Sequence, residues 1–104
     1  MTVRKIKFKD LDGNAIISLL SLGNIEVLDY VYDKYKPMYL LWARKRFPTI
    51  NQQDILDSWH DSVIAFYEQV ISNSLVNLNC TIKTYLFTIG YRSLIKKHKK
   101  NQIN

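Results

Sequence analysis

The segment from Thr81 to Lys100, TIKTYLFTIGYRSLIKKHKK, carries Lys83, Arg92, Lys96, Lys97, Lys99 and Lys100 and no acidic residue. Tyr85, Phe87 and Tyr91 are interleaved with these cations. Cations along a helix neutralise phosphates in a salt-sensitive, sequence-blind way. Aromatic faces between them add about 1–3 kcal/mol per stacked base where the bases are unpaired and accessible. The combination points to nucleic acid, and to single-stranded or opened DNA more than to an intact duplex. Lys83, Phe87, Tyr91 and Ile95 share one side of such a helix, with Thr84 and Thr88 close by. The competing reading is that Phe87 and Tyr91 are core residues.

The preceding segment has the opposite character. From Phe47 to Ile82 there is no Lys or Arg, and the acids are Asp54, Asp57, Asp61 and Glu68. Asp57, Asp61, Ile64 and Glu68 are spaced i, i+4, i+7, i+11 and share one helix face, with His60 beside it. Charges alone would describe a solvated face. An apolar Ile64 among carboxylates is more typical of a docking surface. Two adjacent surfaces of opposite charge suggest two different partners. Between the two segments, SNSLVNLNC (Ser72 to Cys80) reads as a loop. Its Asn73, Asn77 and Asn79 are turn residues or, in the alternative, amides able to read base edges.

Catalysis finds little support. His60 with Asp57 or Asp61 can be drawn as an acid–base pair, but no nucleophile pattern, glycine loop or second cluster accompanies them. One imidazole and two carboxylates make a weak metal site, so neither a metal nor another cofactor is expected.

The elements that must position these residues are helices. Asn14 to Leu22 reads as a short helix closed by Gly23, with Asn24 able to cap the next. From Ile25 the residues Leu28, Val31, Tyr32, Tyr35, Tyr39, Trp42 and Ala43 recur at helical spacing. Pro37 inside that pattern predicts a kink or a fresh start, and Arg44, Lys45, Arg46 and Pro48 close the helix. Asn51 with Asp54 resembles a capping box before a helix to about Ile71, whose core stripe is Leu56, Trp59, Val63, Phe66, Tyr67 and Val70. Thr81 caps the last helix, whose inward stripe is Ile82, Leu86, Ile89 and Ser93 and which fades around His98. The expected fold class is all-α, a compact bundle of four to five helices.

A chain of 104 residues makes one domain and buries roughly 65% of its unfolded surface. The expected organisation is a flexible basic tail over residues 1–11, the helical domain over 12–100 and a short tail over 101–104. The single cysteine, Cys80, forms no internal disulfide, which makes a reducing cytoplasm the default compartment. No apolar run approaches the ~20 residues needed to span a bilayer. The net charge of +6 bears on partners and solubility rather than on fold.

With these residues laid out, the chain resembles region two of a bacterial RNA polymerase sigma factor of the extracytoplasmic-function group over roughly residues 12–100. LDYVYDKYKPMYLLWARKRF is similar to the family's opening helix, including its proline. The run from Asp57 through Trp59, His60 and Asp61 to Val63 resembles the core-binding motif D-x-x-Q-[DE]-x-F, and IAFYE follows it as in the family. KTYLFTIGYRSLIKK resembles the helix that contacts the promoter's minus-ten element. The resemblance implies that Asp57, His60, Asp61, Ile64 and Glu68 dock on the clamp helices of the polymerase β′ subunit. It implies that Asn77 and Asn79 in the loop, then Lys83, Thr84, Phe87, Thr88, Tyr91, Arg92 and Lys96, hold the melted non-template strand. An inhibitor of the family is a further expected partner, and a membrane is not. The sequence departs from the pattern at His60, Val63, Ser93 and Lys96-Lys97, where the family favours glutamine, an aromatic, asparagine and an acid. The family's second module, a helix-turn-helix that reads the minus-35 element, has no counterpart here. An excised domain and a minimal form are both compatible with that.

Two other readings remain open on the residues. A generic basic helical DNA-binding domain would bind any duplex without using the acidic helix. A protein-interaction module would answer an acidic partner with its basic helix and bind DNA weakly at physiological salt.

Overall fold

A computed structural model describes residues 8–103. Among the described residues four helices follow one another: α1 (Gly13–Ser21), α2 (Glu26–Arg46), α3 (Gln52–Ile71) and α4 (Ile82–Ile103). No strand occurs among the described residues. α3 is the central element, packed chiefly against α4, then α2 and α1. The fold is the all-α bundle that the helical periodicity predicts.

Local chemistry places the helix ends. Asp12 caps α1, its Oδ1 accepting from Ala15 N at 2.8 Å. Gly23 ends it with φ of 91°, a left-handed turn that costs glycine nothing. There Gly23 N donates to Leu20 O and Asn24 N to Leu19 O, at 2.9 and 3.0 Å. Asn24 does not cap α2. The cap residue is Ile25, whose backbone is already helical and whose side chain makes no cap bond. Glu26 and Asp29 in the first turn complement the dipole instead. α2 then runs unbroken from Glu26 to Arg46 with Pro37 inside it, so the fresh start does not occur. Pro37 is exposed, and packing on both sides of it holds the helix: Tyr30 and Val31 before, Tyr39 and Ala43 after, are all buried. Asn51 Oδ1 accepts from Asp54 N at 2.8 Å, as the capping pattern predicts. Ile50 and Ile55, at the flanking staple positions, are both buried. Thr81 Oγ1 accepts from Thr84 N at 3.1 Å and starts α4.

The core follows the predicted stripe on α3 and departs from it in register on α4. On α3 the buried apolar residues are Ile55, Trp59, Val63, Phe66 and Val70, with Leu56 and Tyr67 half-buried at the flanks. On α4 they are Ile82, Leu86 and Leu94, with Gly90 between, while Ile89 and Ser93 are only half-buried. Gly90 stands where Tyr39 of α2 presses on α4. A Cβ there would lie 2.5 Å from both Cε1 and Oη of Tyr39. Two buried serines tie the helices together. Ser62 Oγ donates to Leu86 O at 2.6 Å. Ser58 Oγ donates to Ile55 O at 2.6 Å and so accepts from Tyr39 Oη at 2.7 Å. Burial pushes the Tyr39 phenol up to about 12.

The core begins at Phe8, inside the stretch expected to be a tail. Phe8 is buried, its ring 5.6 Å from that of Tyr30. Residues 1–7 lie outside the described residues. At the other end α4 remains helical past His98 to Ile103.

Candidate nucleic-acid and docking interfaces

α2 and α4 enclose a surface groove of about 380 Å³ lined by Trp42, Arg46, Lys83, Thr84, Phe87, Thr88 and Tyr91. Its apolar wall is an aromatic chain. Phe87 sits edge-on to Tyr39 at 5.2 Å and 5.3 Å from Trp42. Tyr91 lies 6.1 Å from Trp42 and 5.8 Å from Phe47. Phe87 and Tyr91 are both half-buried. Each packs on the aromatic cluster and also lines the groove, so neither ring is wholly a core residue.

The groove's cations are held over those rings. Arg46 Cζ is 5.7 Å from the Trp42 centroid and 5.6 Å from that of Tyr91. Lys83 Nζ is 5.5 Å from the Phe87 centroid. Cation–π contact of this kind contributes about 0.5–1 kcal/mol at exposed sites and leaves the charge available to an anion. Neither Arg46 nor Lys83 has an ion-pair partner among the described residues. The threonines are less free. Thr88 Oγ1 donates to Thr84 O at 2.8 Å, and Thr84 Oγ1 accepts from Thr81 at 3.0 Å.

Lys83, Thr84, Phe87, Thr88 and Tyr91 are thus brought together as the sequence predicts, and the other expected DNA-binding residues are not. Arg92 and Lys96 line a different groove, between α3 and α4. Asn77 and Asn79 are exposed in a loop that turns toward α1: Leu78 N donates to Asn14 Oδ1 at 2.8 Å, and Asn79 faces a groove with Asp12 and Asn14. Trp42 and Arg46 line the groove as well, and the sequence pattern does not signal either. Trp42 reads as core and Arg46 as a C-terminal charge, and nothing local to α2 shows that its last two turns face α4.

The acidic face forms on α3 as its spacing predicts. His60, Asp61, Ile64 and Glu68 are exposed and Asp57 is half-buried. Ile64 keeps 53% of its surface in solvent, a large apolar side chain ringed by polar ones. His60 does not pair with a carboxylate. Its Nε2 is 3.1 Å from Tyr32 Oη and its ring is 5.2 Å from that of Tyr32. Asp57 Oδ1 accepts from Gln53 Nε2 at 2.9 Å. Asp61 Oδ2 accepts from Ser93 Oγ at 3.2 Å and lies 3.9 Å from Lys97 Nζ. The acidic and basic surfaces therefore meet at Asp61. Among the described residues no three His, Cys, Asp or Glu side chains gather into a metal-holding group.

Beneath both surfaces lies Trp59, buried, with its Nε1 lacking an acceptor. The rings of Tyr39, Tyr32 and Phe87 lie 5.1, 5.9 and 6.4 Å away. Trp59 is the shared floor that links the acidic face, through Tyr32, to the groove, through Phe87.

These features define an all-helical domain with an aromatic-walled cationic groove and a separate acidic, apolar-centred face. No family model, curated protein or solved structure matches the chain. No helix among the described residues is long and apolar enough to cross a membrane.

Proposed function

We propose that this domain acts in transcription initiation as a sigma region-two module. It binds core RNA polymerase through the acidic face of α3 and holds the opened minus-ten element of the promoter through α4. It carries out no reaction itself and works in the cytoplasm beside the polymerase. The observation that carries the reading is the α2–α4 groove. Flat rings with cations poised over them suit unstacked bases and their phosphates together. The exposed Ile64 among Asp61, His60 and Glu68 supports a second, protein partner on α3. Binding of the flipped bases lowers the free energy of the open strand, so melting follows from affinity and needs no energy source.

Tyr91→Ala tests the groove. Tyr91 stands at the rim, whereas Phe87 packs deeper, against Tyr39 and Trp59. Removing the Tyr91 ring is expected to weaken a single-stranded promoter oligonucleotide by about 1–3 kcal/mol, roughly 5- to 160-fold, and duplex DNA much less. Fluorescence anisotropy on both ligands reads this. Equal losses on both, accompanied by a lower melting temperature, would return Tyr91 to the core. Equal wild-type affinity for any duplex and for the single strand would favour a generic DNA-binding domain.

A further inference from the structure

The groove between α3 and α4 has a different chemistry. It encloses about 430 Å³, and Arg92, Lys96 and Lys97 line it together with Ser93. No aromatic ring lines it, so it offers charge and a hydroxyl but no stacking face. Its one carboxylate is Asp61, which is bonded to Ser93 and lies 3.9 Å from Lys97. Arg92 and Lys96 have no ion-pair partner among the described residues. The two grooves flank α4. Tyr91 and Ser93, one from each, are two residues apart and so lie ~200° apart around the helix.

We propose that this second groove is a nucleic-acid site of its own, taking backbone phosphates and no base, and that Asp61 holds it partly closed. The proposal rests on the nucleic-acid reading of α4. A cluster of three cations with a hydroxyl donor matches tetrahedral phosphate oxygens, and without an aromatic ring the groove lacks the main surface for base stacking. α4 is then a ridge with a stacking side toward α2 and a phosphate side toward α3. Asp61 is the internal competitor for Lys97. A partner cation that takes the Asp61 carboxylate frees Lys97 for phosphate. Occupation of the acidic face and phosphate binding therefore strengthen each other, and by linkage the effect is reciprocal.

The test uses the whole chain and two labelled probes of equal length, an oligothymidylate and an abasic oligonucleotide, titrated by anisotropy across a salt series. R92Q/K96Q is expected to weaken both probes by the same factor, about tenfold at low salt, and to lower the salt slope by about 1.4. Tyr91→Ala should weaken the oligothymidylate alone. Asp61→Asn should tighten both probes about two- to threefold, and Glu68→Gln, with the same charge change outside the groove, should do less. A larger loss on oligothymidylate than on the abasic probe in R92Q/K96Q would overturn the phosphate-only assignment. So would unchanged binding in that variant, and here a normal Tyr91→Ala effect would leave the main groove standing. Equal gains in Asp61→Asn and Glu68→Gln would reduce Asp61 to a net-charge effect and remove the gate. A wild-type chain that binds neither probe would end both readings.

Discussion

Gly90→Ala is expected to destabilise the domain, although alanine is the better helix former by about 1 kcal/mol. The new Cβ would sit 2.5 Å from the Tyr39 ring and its hydroxyl. Tyr39 has little room to yield. It is fully buried, its hydroxyl is bonded to buried Ser58, and Trp42, Trp59 and Phe87 all lie within 5.5 Å of its ring centre. Forcing a group into such a site costs about 1–3 kcal/mol and occasionally more. With three Tyr39 atoms only 2.5–2.7 Å away the cost falls in the upper part of that range, about 2–3 kcal/mol, so after the propensity gain a net loss of about 1–2 kcal/mol remains, or roughly 5–15 °C in melting temperature for a domain this small. Thermal unfolding followed by circular dichroism measures it. A double-mutant cycle with Tyr39→Leu assigns the cause, because the smaller side chain should remove most of the penalty. A Gly90→Ala protein that melts at or above the wild-type temperature would show that Tyr39 does not need the gap. The effect also reaches the site. Phe87 rests edge-on against Tyr39, so moving Tyr39 moves one wall of the groove.

Gly90 also shows why the α4 register was hard to read. A glycine contributes nothing to an apolar pattern, yet here it marks the position most tightly closed by a neighbour. The inward stripe Ile82, Leu86, Gly90, Leu94 has no side chain at its third position, so Ile89 and Ser93 complete the periodicity equally well. α4 is apolar on more than one side because it packs against both α2 and α3, so periodicity could not choose between registers. Where a helix leaves one continuous side to solvent, as α3 does although it packs against three others, the pattern is legible. Asp57, Asp61, Ile64 and Glu68 emerge on the outside of α3, opposite Trp59 and Phe66. Local chemistry was legible too at Gly23, Asn51 and Thr81, where a cap or a left-handed turn is decided by one or two residues. Asn24 failed because the first turn of α2 begins directly in helical geometry and leaves no extended cap residue. Trp42 and Arg46, like the division of Arg92 and Lys96 from Lys83 and Tyr91, depend on which helix lies across from which. That is set by packing between segments some forty residues apart.

Under the proposed function, Asp61→Arg should move the affinities for polymerase and for DNA in opposite directions. In the wild type the carboxylate accepts from Ser93 and faces Lys97 on an exposed surface, contacts that contribute little to stability. Reversing the charge is therefore expected to change stability by less than about 1 kcal/mol. On the proposed docking face of Asp57, Asp61 and Glu68 around Ile64, the same change would set a cation where a partner's complementary charge would approach. Like-charge juxtaposition across an interface costs several kcal/mol, so affinity for core polymerase should fall at least about tenfold. The single-stranded DNA response has the other sign. The variant adds a cation beside Lys97 and removes its competitor, so DNA should bind more tightly, with a steeper salt dependence. Titrating purified core polymerase and a labelled single strand with the same two protein preparations measures both. Polymerase affinity unchanged by Asp61→Arg would move the docking face elsewhere on the domain. No binding of polymerase by either protein would discard the polymerase partner and leave a DNA-binding domain. Loss of both ligands together, with a lower melting temperature, would show that the contact between Asp61 and α4 is structural. Loss of polymerase with tighter DNA is the one pattern that requires two distinct surfaces meeting at this residue.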